Sequence, residues 1–132
     1  MGLCEKYVNK DYFYSVFRVL VGLMFLQHGL QKIFGMFGGN SVELFSLMGL
    51  AGLIELLGGA AIALGLFTRF ASFIAGLEML IAYSMAHASN SLIPIVNKGE
   101  LALLYFAAFL ALTAFGAGKF SLEKALFKKE FF

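Results

Sequence analysis

Residues 47–69 read LMGLAGLIELLGGAAIALGLFTR. Glu55 is the only ionisable group before the closing Arg69. The run is close to the ~20 residues that carry a helix across a ~30 Å hydrocarbon core. Backbone groups in lipid must be satisfied within their own segment, so helix is the state this run can adopt there. Leu66-Phe67-Thr68-Arg69 reads as a tight turn, and apolar sequence resumes at Phe70. The stretch therefore predicts an antiparallel hairpin of two spanning helices.

The rest of the chain agrees with lipid as solvent. Hydrophobic residues make up 61% of 132 residues and charged ones 14%. Mean hydropathy is +0.86. Average usage is nearer 45–50% apolar, so the polar cover for a water-soluble surface is thin. Four spans are expected, at about 12–37, 45–67, 70–88 and 99–115, with residues 119–132 as a tail. The fold class is an all-α integral membrane four-helix bundle, one domain over 1–132. Alternating ten-residue strands that would build a barrel are absent.

Charge placement sets the expected direction. With four spans, the N-terminus, the 66–69 turn and the C-terminus share a side. That side carries Lys6, Lys10, Arg69, Lys119, Lys124, Lys128 and Lys129, with Arg18 just inside. Lys32 and Lys98 lie opposite. The positive-inside rule then places both termini in the cytoplasm. No Lys/Arg run points to nucleic acid. Cys4, the single cysteine, excludes an internal disulfide, a CxxC redox pair and a Cys-based zinc site. No HxxxH or ExxH spacing points to a metal.

Ionisable groups inside spans are costly, so they face the bundle interior and pair. In the first span Arg18, Gly22, Phe25, Gly29 and Lys32 fall on one stripe at 100° per residue. Counting ~1.5 Å per residue from the tail side puts Arg18 and Glu78 at similar depth, and His28, Lys32, His87 and Glu100 toward the other face, with Glu55 below them. An Arg18–Glu78 ion pair and an outer polar cluster are therefore expected. Ala61/Gly65, Gly59/Ala63, Ala71/Ala75 and Ser72/Gly76 are small-xxx-small spacings, suited to close helix contact and to dimerising the bundle.

Five pieces follow one another along the chain: Arg18-(x3)-Gly22-(x6)-Gly29-(x2)-Lys32, Glu55-Leu-Leu-Gly-Gly, Leu64-Gly-Leu-Phe-Thr-Arg69, Asn97-Lys-Gly-Glu100 with Leu104-Tyr105, and Gly116-Ala-Gly118-(x2)-Ser121-Leu-Glu123. In this order they resemble the DoxX family of small bacterial four-helix membrane proteins. Gly116-Ala117-Gly118 stands where the family usually has Gly-Pro-Gly, and Glu123 where it has Asp. The resemblance implies a bacterial cell inner membrane protein and quinone-linked redox chemistry, or a place in a membrane oxidoreductase complex. The expected site is a quinone pocket between the helices. His28 and Lys32 would hold a quinone oxygen, Gly29 and Phe25 would admit and flank the ring, His87 would lie nearby, and Glu55 and Glu100 would exchange protons. Electrons would come from a redox partner protein, since no flavin, haem or iron–sulfur motif is present. Two other classes fit the composition: a non-enzymatic scaffold or oligomeric assembly protein, and a small-solute or proton pathway.

Overall fold

The computed structural model describes residues 8–131; Cys4 and Lys6 lie outside that range. Helix α1 spans Lys10–Phe34, α2 Leu47–Leu64, α3 Thr68–Ala86, α4 Pro94–Asn97, α5 Glu100–Phe115 and α6 Leu122–Phe127. The first three are long and apolar enough to cross a membrane, while α5 is a shorter apolar helix of 16 residues. No strand occurs among the described residues. The four long helices form the predicted bundle.

Local chemistry sets the helix ends. The Asn9 side chain accepts from the Asp11 and Tyr12 amides at the start of α1, and Ser46 accepts from Gly49 at the start of α2. Such caps supply acceptors to the N–H groups a first turn leaves open. Helix α1 stops at Gly35, whose φ of 66° lies in the left-handed region that favours glycine. The expected span to 37 is therefore shorter, and residues 35–46 fold back, with the Val42 amide bonded to Lys32 O. The 66–69 turn is present as read, with Gly65 and Phe67 both left-handed.

The bundle is two closely packed antiparallel pairs, α1/α2 and α3/α5, joined through the α2–α3 turn; the α1 and α5 backbones lie further apart and meet through the rings of Phe25, His28, Tyr105 and Phe109. Glycines set the α1/α2 seam. A Cβ on Gly29 would lie 2.6 Å from Leu56 Cα, one on Gly22 would lie 2.8 Å from Ala63 Cα, and one on Gly59 2.7 Å from Leu26 Cα. Without hydrophobic drive between helices in lipid, such close packing is what holds them. Gly29 thus makes room for a neighbouring helix and not for a ligand ring, which corrects the expectation for it. The Gly59/Ala63 and Ser72/Gly76 faces are likewise turned inward, Gly76 toward Phe109 of α5.

Phe25, Ile62, Ala75, Met79, Tyr105, Phe109 and Leu112 form the buried core. Leu20, Leu57, Phe73, Leu77, Leu104 and Leu110 are exposed on the outer faces, as expected where the solvent is hydrocarbon.

At the tail end two arginines bind helix termini. Arg18 is buried and donates to the carbonyls of Ala117, Phe120 (2.9 Å) and Ala63 (3.4 Å). Arg69 donates to Thr113 O and Ala114 O in the last turn of α5. Helix C-termini carry unpaired carbonyls and partial negative charge, so guanidinium groups are stabilised there. The expected Arg18–Glu78 pair is not formed. Gly22 lies against Ala63, so Arg18, one turn earlier, stands level with the α2–α3 turn, and depth counted from residue 12 is too large for every α1 residue; the first turns of α1 pack against the segment after α5, with Tyr14 Oη donating to Gly116 O at 2.6 Å and the Tyr12 ring beside Phe120. The 119–132 segment is also more than a solvated tail: Glu123 is fully buried, its amide bonds Gly65 O, and Glu130 Oε1 accepts from the Ala117 amide at 2.8 Å.

Candidate functional site

Opposite the tail, between the helices, lies a cavity of about 300 Å³. Four of the residues singled out in the sequence line it: Phe25 and His28 from α1, Glu55 from α2, and His87 at the end of α3. Lys98 and Tyr105 complete its polar wall. Both stand in the quoted motifs, but neither was assigned to the site. A tyrosine inside an apolar span was the available signal, because a buried phenol needs a partner for its hydroxyl.

Lys32 Nζ meets Glu55 Oε1 at 2.6 Å at the cavity's inner edge. Helix α1 runs away from the tail, and side chains tilt toward a helix's N-terminus. The lysine therefore reaches down into the bundle and not out to the interface. Its side chain is 22% exposed and that of Glu55 3%. Glu78 stands beside this pair and interacts electrostatically with both members. Glu55 and Glu78 each lie some nine or ten residues from the tail end of their helices, so both sit ~14 Å deep. One ammonium thus serves two carboxyl groups.

Three buried polar atoms here have no partner elsewhere in the fold: Glu55 Oε2 and Glu78 Oε2, whose carboxyl groups lie within hydrogen-bonding reach of each other, and Tyr105 Oη. Buried polar groups are normally satisfied, and leaving one open costs about 1–3 kcal/mol. The Tyr105 ring is packed edge-on to His28, with centroids 5.8 Å apart, and also contacts Phe25 and Phe109. These ring contacts fix its hydroxyl in place.

The cavity's outer end is built by the segment after α3. His87 Nδ1 is 3.0 Å from Asn97 O; a carbonyl only accepts, so Nδ1 carries the proton and Nε2 is left for other contacts. Buried Asn97 donates to Tyr83 Oη and Ser91 O and accepts from the Gly99 amide. It is the knot of this segment. Asn97→Ala is expected to destabilise the fold by about 2 kcal/mol, the cost of unpaired buried groups. That loss should appear as a lower unfolding midpoint and faster proteolysis between His87 and Gly99; an unchanged midpoint would assign the segment's order to packing instead.

Glu100 is not part of the cluster. It is exposed in the first turn of α5, where a carboxylate complements the positive end of the helix. Its expected proton-exchange role loses its geometric basis.

Residues 13–88, covering α1 to α3, match the DoxX family model. A protein of Haemophilus influenzae (strain Rd), described as uncharacterized, is 41% identical over 136 residues, spanning 98% of this chain and 100% of the relative. No solved structure matches the chain.

Proposed function

This chain belongs to the DoxX family and is a multi-pass membrane protein, and from that premise we propose that it is a quinone- or quinol-binding subunit of a bacterial inner-membrane oxidoreductase complex. The observation that carries the reading is the unpartnered Tyr105 hydroxyl, with the Glu55 carboxyl, at a cavity of about 300 Å³ inside the bundle. Ligand pockets run ~300–1,000 Å³ and favour the spaces between helices. This one is the size of a ring headgroup.

A quinone, when bound, supplies two-electron, two-proton chemistry. The chain's own groups match what its ring oxygens need. Tyr105 Oη, His28 and Lys98 are donors for them, and Phe25 packs against the ring face. Glu55 and Glu78 hold or release the accompanying proton, with Lys32 balancing one of the two carboxylates. Electrons arrive from a redox partner protein. Both termini face the cytoplasm, following the lysine and arginine distribution. A second copy of the chain is expected in the apolar groove of about 610 Å³ between α2 and α3, which holds the small residues the bundle leaves outside, Gly58, Ala61 and Ala71.

Mass spectrometry of organic extracts from gently purified protein tests this reading, with Glu55→Gln prepared alongside. The expected result is a co-purifying quinone that the variant loses while it stays folded. No quinone in either sample would sink the reading and favour the scaffold, for which the buried arginine contacts speak. The pathway class needs a cavity reaching both faces, and this cavity stops at the aromatic core.

A further inference from the structure

The two ends of the bundle are unlike. The polar cavity occupies the end that carries residues 87–99, here the loop face. Lys98 lies exposed at its rim and His87 is half-buried beside it. Beneath the cavity the polar wall ends. Phe25, Phe109, Ile62 and Leu112 are all at 1% exposure or less. The Phe25 and Phe109 rings meet edge to face, with centroids 4.8 Å apart. From Tyr105 to Leu112 this layer is seven residues of helix deep, roughly 10 Å. Below it lies the other polar group, where Arg18 is tied to three carbonyls. Water crosses a close-packed layer only where polar partners hold it; the buried hydroxyls of Thr68 and Ser72 lie on the tail side of this layer, and the Phe25 and Phe109 rings stand between them and the cavity.

We propose that the cavity exchanges water and protons with the loop face alone, through a mouth built by Lys98 and His87, and that the Phe25–Phe109 layer closes it to the tail face. Glu55, which lines the cavity, and Glu78 beside it are the inner end of this route. A proton taken from water at the mouth ends on one of those carboxylate oxygens, and one released there leaves the same way. Lys98, the cation at the rim, makes the mouth favour anions. The purpose of the protons rests on the quinone reading; the sidedness does not.

Cysteine accessibility decides it in sealed membrane vesicles of both orientations, in a Cys4→Ser background. Ala102→Cys places a thiol on the cavity wall, Asn90→Cys marks the loop face and Lys119→Cys the tail face. The probe is an anionic, membrane-impermeant methanethiosulfonate. Ala102→Cys is expected to react from the face that labels Asn90→Cys and to stay unreacted from the face that labels Lys119→Cys. Reaction from the Lys119 face, from both faces or from neither overturns the proposal. Adding Lys98→Gln should slow the Ala102→Cys reaction several-fold and leave Asn90→Cys unchanged; equal slowing at both removes Lys98 from the mouth. If Ala102→Cys fails to fold, Leu101→Cys, exposed on the same wall, takes its place. Absence of a bound quinone leaves this labelling pattern intact, and labelling from the wrong face leaves a quinone result intact.

Discussion

Gly29→Leu is expected to part α1 from α2 and to remove most of the protein's resistance to unfolding. The reason is which atoms the new side chain meets. A Cβ at Gly29 already comes within 2.6 Å of Leu56 Cα, and backbone cannot rotate away as a side-chain tip can. Overpacking a core costs about 1–3 kcal/mol, and a clash with helix backbone belongs at or above the upper end. Gly29→Ala should show about 2–3 kcal/mol of the same loss. Gly58→Ala is the control on the partner helix. Its Cβ would meet only Phe25 Cε1, at 3.8 Å, an ordinary contact, and replacing a helical glycine with alanine is worth ~0.5–1 kcal/mol in the helix's favour. Reversible unfolding in detergent compares them. Equal stability of Gly29→Ala and Gly58→Ala would show that the glycine seam does not hold the pair together.

That contrast also shows what a sequence discloses in a membrane bundle. The spans were legible because lipid demands long apolar helices, and the hairpin because Gly65 to Arg69 is too short for anything but a turn. The stripe of Arg18, Gly22, Phe25, Gly29 and Lys32 was legible from periodicity, and all five do face inward. Their partners were not. Residue counting measures depth from an assumed starting plane, whereas the α1/α2 register is set by where Gly22, Gly29 and Gly59 let backbones touch. That register puts Arg18 at the end of α2, beside carbonyls that no side-chain pattern advertises, while the α2–α3 hairpin puts Glu78 beside Glu55. Tyr105 and Lys98 escaped assignment for another reason. Each looks ordinary in sequence, a tyrosine among apolar residues and a loop lysine, and only the cavity makes them neighbours of His28 and Glu55. The tail was underestimated in the same way, since Glu123 and Glu130 read as surface charges until the loop after α5 closes over Arg18.

The Lys32–Glu55 pair separates a structural pin from a ligand group, and three variants make the separation. Lys32→Met should be the most damaging. It leaves Glu55, almost wholly buried, and Glu78 beside it with no cation between them. Breaking a buried pair from one side costs about 3–5 kcal/mol. Glu55→Gln should cost less, about 1–2 kcal/mol, between the exposed and buried limits. The amide keeps the shape, Lys32 retains some exposure, and Glu78 remains nearby to face it. The double variant Lys32→Met/Glu55→Gln removes both charges of the pair and should recover most of the Lys32→Met loss, because Glu78 is then the one carboxyl left without its cation. Ligand retention should follow a different order. If Glu55 contacts the bound headgroup, Glu55→Gln and the double variant both lose the co-purifying quinone, although the double variant is more stable than Lys32→Met. If the pair only pins α1 to α2, ligand retention tracks stability and the double variant regains both. Unfolding midpoints and extract composition measured on the same preparations distinguish these outcomes, since stability and occupancy move together under one and separate under the other.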